Sequence, residues 1–248
     1  MVAARVADHG VESTAIGGEL WTRRRVEDSL CYAGANLIPL RGAAADIQAF
    51  ADRALSTPRR CSSVVGRAEL VLPMWERLEQ GWGPARDVRD RQPLMAMGSA
   101  PRGVIDPGVR RVRLEELDAY LVAAVDMFIG EVGIDPRAGD GGRGYRRRVA
   151  NLITAGRAFA RFENGQVVFK AEIGSQSPMV GQIQGVWVHP ERRGRGLGTA
   201  GTAAVAAAVV QGGRIASLYV NSYNTVARAA YARVGFREVG VFATVLLD

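Results

Sequence analysis

Metal and disulfide chemistry find few ligands in this chain. Two cysteines, Cys31 and Cys61, and two histidines, His9 and His189, occur in 248 residues. The cysteines lack the spacing of a metal site and can pair only if the fold brings them together, so reduced thiols are expected. No zinc-site and no Ser-His-Asp arrangement is legible. Lysine is nearly absent: Lys170 is the single lysine among 32 basic residues. That skew reads as codon bias rather than as a nucleic-acid surface, and nothing resembles a dedicated nucleic-acid-binding module. Long apolar runs are missing as well. The longest, Ala203–Val210, is far short of a membrane span, and the first residues carry no apolar core of a signal peptide. These absences predict a soluble, cytoplasmic protein with no metal and no membrane partner.

What is present suits a globular chain. Hydrophobic residues make up 48% and charged residues 23%, which is ordinary for packed domains and argues against bulk disorder. The length allows one large or two small domains. The net charge of +7 is uneven. Residues 1–108 hold 14 basic and 13 acidic side chains, and residues 109–248 hold 18 and 12. The excess therefore lies in the second half, and a polyanionic ligand there is sufficient to explain it.

That half contains the most informative stretch, Gln184 to Gly198. Gly185 to Val188 reads as a buried strand with β-branched Val186 and Val188, and Pro190 stops it. After Gly198 an alanine-rich run of high helix propensity follows, with Leu197, Gly201, Ala204, Val205, Ala208 and Val209 on one face. The helix is expected to begin near Gly196. Its first amides have no intrahelical partner, and glycines leave them uncovered, so they form a site for a phosphate-like anion. Arg192, Arg193 and Arg195 add positive charge. A P-loop would need a lysine before Thr199, which is absent. Gly196-Leu-Gly198-Thr-Ala-Gly201 fits a dinucleotide fingerprint literally, but His189–Arg195 separate it from its strand. The next strand also ends in Val220-Asn221 with no carboxylate. A glycine-rich turn that binds nothing is the bland alternative.

The pattern Arg193-x-x-Gly196-x-Gly198 on a strand-to-helix turn resembles the pyrophosphate-binding motif of the GNAT superfamily of N-acetyltransferases. A second stretch supports it. Arg214–Val220 reads as a strand, and Asn224-x-x-Ala227-x-x-x-Tyr231-x-x-x-Gly235-Phe236 follows, with a helix between Thr225 and Val234 and Gly235 as its C-cap. The superfamily has this second signature in the same order. The resemblance covers about Val109 to Asp248. The whole chain is also similar to bacterial tandem GNAT proteins. Segments 31–37, 59–66 and 82–86 look typical of their poorly characterised N-terminal domain. The implied fold is α/β (α+β): a mixed central sheet flanked by helices, with a smaller GNAT-like N-terminal half. The expected domains are 1–105, degenerate and not binding the coenzyme, and 109–248, the acetyltransferase domain. Gly98–Gly108, rich in glycine and proline, is the expected linker.

Periodicity fills in the rest. Residues 1–18 read as a helix end and a loop. Glu19–Leu40 reads as paired strands, Ala43–Leu55 as a helix and Cys61–Val65 as a strand. A helix is expected over Leu72–Gln80, with Pro73 in its first turn. Val88–Met97 is expected as an edge strand because Pro93 interrupts it. Val109–Arg113 reads as a strand, Leu114–Glu131 as a helix, and the segment around Tyr145–Ile153 as another. Glu163-Asn164-Gly165 signals a hairpin turn between Ala158–Phe162 and Gln166–Ile173. Val167, Phe169, Ala171 and Ile173 are expected to face the core, with Val168, Lys170 and Glu172 on a mixed face. A loop is expected over Ser175–Gly181, the central strand over Gln182–Val188, and one or two closing strands over Phe236–Leu247.

The resemblance implies acetyl transfer from acetyl-CoA, the acyl-donor substrate, to an unidentified primary amine in a ternary complex. A longer acyl-CoA, or a non-catalytic CoA-binding regulatory module, are the alternatives. The implied coenzyme contacts are Val186, Trp187, Val188, Arg193, Gly194, Arg195, Gly196, Leu197, Gly198, Thr199, Asn224 and Tyr231. Tyr231 is the expected acid for the departing thiolate. Glu172 is the first candidate for the base and Glu131 the second. The two helices after the first strand of the second half are implied to line the acceptor pocket.

Overall fold

The computed structural model describes residues 17–248, so the expectation for the first 16 residues lies outside them. The chain divides into two compact units. One holds the chain up to Leu94 together with Tyr219–Tyr223 and Glu238–Asp248. The other holds Met95–Leu218 and Asn224–Arg237. Both are mixed α/β structures, and eleven strands and six α-helices occur among the described residues.

In the first unit, β1 (Gly18–Trp21), β2 (Leu30–Gly34) and β3 (Leu37–Arg41) form an antiparallel meander. Helix α1 (Ala44–Leu55) crosses to β4 (Ser63–Arg67), which pairs parallel with β3. Helix α2 (Ala68–Trp82) and strand β5 (Asp87–Met97) follow. The last strand, β11 (Arg237–Leu246), pairs antiparallel with β4, from Phe242 opposite Arg67 to Leu246 opposite Ser63. The strand order is β1-β2-β3-β4-β11-β5. Ile47, Phe50, Val71, Met74 and Leu78 of the two helices pack with Cys31, Leu37, Val64 and Val245 in one core. Cys31 and Cys61 are both free thiols, and burial pushes the Cys31 thiol up to about 12.

Two proline expectations fail here. Helix α2 starts at Ala68, four residues before the expected start, and Pro73 lies inside it. A buried face of Leu70, Val71, Met74, Trp75 and Leu78 holds the helix through the proline. Burial of five side chains, each worth about 1.5–3 kcal/mol, outweighs the one hydrogen bond that proline removes. Strand β5 has backbone partners on both sides within this unit, β11 on one and Val220 and Ser222 on the other. It runs unbroken through Pro93 beside β11, and the Pro93 carbonyl accepts from the Val220 amide at 3.2 Å. The residue enters the sheet through the one backbone group it still has.

The second unit begins with β6, only Arg110–Arg111 rather than Val109–Arg113, and a 3₁₀ turn at Leu114–Glu116. Helix α3 (Leu117–Val132) and helix α4 (Arg143–Thr154) follow. The hairpin of β7 (Ala158–Glu163) and β8 (Gln166–Gln176) turns on Asn164 and Gly165, with φ of 51° and 77°. Two consecutive positive φ values match the twist of a two-residue hairpin. Strand β9 (Val180–Val188), helix α5 (Leu197–Gln211), strand β10 (Ile215–Tyr219) and helix α6 (Thr225–Val234) complete the unit. The order is β10-β9-β8-β7-β6, antiparallel except for β10 with β9.

Strand β8 departs from its expected alternation. Val167 to Ile173 are buried without a break, Lys170 and Glu172 included. Helices cover both sides: Phe169 meets Gly201 of α5, whereas Lys170 lies over the Tyr120 ring of α3 at 5.3 Å. A strand buried on two faces loses its polar-out pattern. Gly201 is a contact glycine, since a Cβ there would stand 2.6 Å from Cε2 and Cζ of Phe169. Gly201→Ala is therefore expected to destabilise the chain by about 1–3 kcal/mol. The check is a lower denaturant midpoint at an unchanged slope.

Candidate active site

All the residues expected from sequence to bind or act lie in the second unit. The glycine turn has the expected form. Strand β9 ends before Pro190, a 3₁₀ turn covers Pro190–Arg192, and Gly194 and Gly196 adopt left-handed φ of 73° and 81°. Any side chain there would be strained, which is the reason for glycine at both. Gly196 is the N-cap of α5, and the first helical hydrogen bond runs from the Ala200 amide to its carbonyl at 3.0 Å. The amides of Leu197, Gly198 and Thr199 thus have no acceptor within the helix. A Cβ at Gly194 or Gly196 would have no atom within 4 Å, and one at Gly198 would only touch Val188 at 3.5 Å. Three open amides, the positive end of a 15-residue helix and exposed Arg195 make an anion cradle. Arg193 Nε donates to the Val188 carbonyl at 3.2 Å, and Arg192 pairs with Glu163 at 3.1 Å, so these arginines fasten the turn.

The strand beneath the turn is opened in two ways. Pairing of β10 with β9 stops at Ser217 opposite Gln182. From Ile183 to Val188 the side of β9 towards β10 is therefore outside that ladder. Opposite, the register with β8 shifts: Glu172 faces Gln184, but Lys170 faces Trp187. The extra residue sits at Gly185–Val186, and Gly185 has a left-handed φ of 60°. This is a β-bulge, which turns the strand and leaves a residue unpaired. Val186 and Val188 are half-buried. The Trp187 side chain points elsewhere, its indole donating to Asp126 Oδ2 of α3 at 3.0 Å.

Helix α6 carries the second signature. Asn224 Oδ1 accepts from the Ala227 amide at 3.1 Å, so its oxygen caps the helix. Tyr231 is buried, edge-on to Phe236 with centroids 6.2 Å apart. Burial, and then the charge of Glu131, push its phenol well above its ordinary value. It stays protonated across the neutral range.

The carboxylates separate sharply. Glu172 is 2% exposed, and its Oε1 accepts from Arg148 at 3.0 Å and Gln184 at 2.8 Å. Burial alone would raise its pKa, but Lys170 and Arg148 outweigh that and lower it. A carboxylate so paired is a poor proton acceptor, which counts against the role expected for it. Glu131 ends α3 in the exposed region, and its charge acts on both Tyr231 and Lys170. Three participants in this cluster, Lys170, Tyr120 and Arg148, were not legible as a group. The one available signal was the chain's only lysine two residues before Glu172. No group of three or more potential metal ligands occurs among the described residues, and no helix there is long and apolar enough to cross a membrane.

Comparison with known proteins bears on the fold. Residues 162–245 match the FR47-like protein family, and residues 18–120 match a domain of unknown function, DUF4081. No curated protein matches the sequence. Among solved structures, an acetyltransferase from the GNAT family of Colwellia psychrerythraea superposes with a TM-score of 0.58 at 12% identity, over 92% of this chain and 84% of that one. A GCN5-related N-acetyltransferase from Kribbella flavida gives 0.58 at 16% identity, over 100% and 96%. A tandem GNAT protein from the clavulanic acid biosynthesis pathway gives 0.52 at 14%, over 88% and 78%. The chain has the GNAT fold.

Proposed function

We propose that this protein is an acetyl-CoA-dependent N-acetyltransferase that acts on a primary amine by direct attack in a ternary complex. The observation that carries the reading is the junction of a bulged, splayed strand with a turn of bare amides. The residues present fit a coenzyme A thioester. Arg193 to Thr199 would take the diphosphate, through the amides of Leu197, Gly198 and Thr199. The backbone of Val186 to Val188, outside the β10 ladder, would take the pantetheine arm and the acyl oxygen. Donors fixed there stabilise charge that develops on that oxygen.

The chemistry balances with two side chains. The amine nitrogen bonds to the acyl carbon as the carbon–sulfur bond breaks. The amine's proton passes to Glu131, directly or through water, and the sulfur takes the phenolic proton of Tyr231. Glu172 holds the buried cluster together rather than accepting that proton. The cytoplasm is the proposed compartment.

The test is calorimetry with acetyl-CoA followed by a thiol-release assay over a panel of amines. Binding with amine-dependent thiol release is expected. No heat with acetyl-CoA would remove the donor assignment. Binding without thiol release for any amine would leave a coenzyme-binding module. Faster release from longer acyl-CoAs would change the donor.

A further inference from the structure

Two buried side-chain donors close to the bulge have no hydrogen-bond partner among the described residues: Lys170 Nζ and Tyr120 Oη. Both residues are 0% exposed. Most buried polar groups are satisfied, so an unsatisfied one in a native fold calls for a reason. Lys170 Nζ is 3.8 Å from Glu172 Oε2, an ion pair without a hydrogen bond. Glu172 gives its Oε1 to Arg148 and Gln184. Two cations thus share one buried carboxylate, and the further negative charge acting on Lys170 is that of Glu131, at the exposed end of α3.

The location of the Lys170 ammonium is informative. A Cβ on Gly185 would stand 3.1 Å from Lys170 Nζ and 3.2 Å from Met127 Cε. The bulge is therefore moulded around the ammonium, and Gly185 is held to glycine by both its φ and this contact. Charge buried at low dielectric acts on its neighbours far more strongly than charge in water.

We propose that Lys170 is a positioning residue of the acyl site: its ammonium, packed against the Gly185 bulge and only partly balanced by Glu172, supplies fixed positive charge beneath the carbonyl that the central strand's backbone holds. The inference rests on the donor assignment above. Burial lowers the lysine's pKa, while Glu172 and Glu131 oppose that and Arg148 reinforces it. The groups that face it are Glu172 on β8, Arg148 on α4, and Tyr120 and Glu131 on α3. The charge is therefore lost, as pH rises, below the ordinary lysine range. Tyr231, shifted the opposite way, deprotonates at higher pH, so the two effects separate.

The experiment uses acetyl-CoA labelled with ¹³C at the carbonyl, bound to the full chain. Binding to the wild type is expected to move the carbonyl resonance downfield, and Lys170→Met is expected to lose most of that movement at unchanged affinity. Glu172 keeps Arg148 and Gln184 in this variant, so the fold is expected to survive. With an accepted amine, kcat is expected to fall about 100-fold with KM for acetyl-CoA unchanged, as for a lost oxyanion donor. Equal carbonyl shifts in the two proteins would overturn the proposal and leave the transferase reading intact. Absence of acetyl-CoA binding by the wild type would instead overturn the donor assignment and this inference with it. Should the variant not fold, the wild type decides alone. Its bound carbonyl shift must collapse on raising the pH below the ordinary lysine range, and a shift constant to about pH 10.4 overturns the proposal.

Discussion

Tyr231→Phe is expected to lower kcat by about 10²–10⁴-fold, the range for loss of a positioned general acid, with affinity for acetyl-CoA unchanged. The ring is buried beside Phe236, and phenylalanine keeps that packing, so stability is expected to hold. What disappears is the proton for the departing thiolate. Because the phenol is pushed upward by burial and by Glu131, the wild-type rate is expected to show no loss of this acid at neutral or mildly alkaline pH. Single-turnover kinetics with acetyl-CoA and an accepted amine, beside calorimetry, separate the two effects. A variant with full turnover would exclude Tyr231 as the acid. One with weakened acetyl-CoA binding and unaltered kcat would make it a binding residue.

The second large effect is on donor binding. Gly196→Val is expected to raise the Kd for acetyl-CoA at least about 100-fold. A β-branched residue resists a φ of 81°, so the turn must rearrange, and the N-terminal amides of α5 lose their common aim. Each hydrogen bond to a charged group contributes about 1.5–3 kcal/mol, and 1.4 kcal/mol is tenfold in affinity. Two misdirected amides therefore suffice. The turn is exposed, so the thermal transition is expected to move little. Gly198→Ala is the milder companion: its backbone is ordinary and its Cβ would meet Val188 at only 3.5 Å. Calorimetry on both checks the cradle. Wild-type affinity in Gly196→Val would place the diphosphate elsewhere.

The parts of the fold visible in the sequence were those encoded within a few residues. Asn164-Gly165 specifies its own turn, and Gly196 and Gly235 punctuate helices at the positions expected of them. The anion turn is equally local, since spacing alone fixes amides relative to a helix start. Long-range pairing decided the rest. Proline at 73 and at 93 reads as a breaker, but burial of the α2 face and the strands beside β5 override a local preference. Gly185 is one glycine in an apolar run. Its bulge appears only when β8 is laid alongside and the register slips. The setting of Glu172 is hidden for the same reason: Arg148 on α4 and Gln184 on the neighbouring strand are its hydrogen-bond partners, 24 and 12 residues away, and only Lys170 lies close to it in sequence.

Strand β11 has a consequence for how the protein is made. It pairs with β4 across an interval of some 180 residues, Leu246 lying opposite Ser63 and Phe242 opposite Arg67. During translation the amino-terminal sheet waits with one edge open until residues 237–246 emerge from the ribosome. Closing so long a loop is slow, and an unpaired edge invites other chains to add to it. A gene divided at residues 98–108 would yield an amino-terminal fragment without its closing strand, and supplying β11 as a separate peptide is the natural remedy.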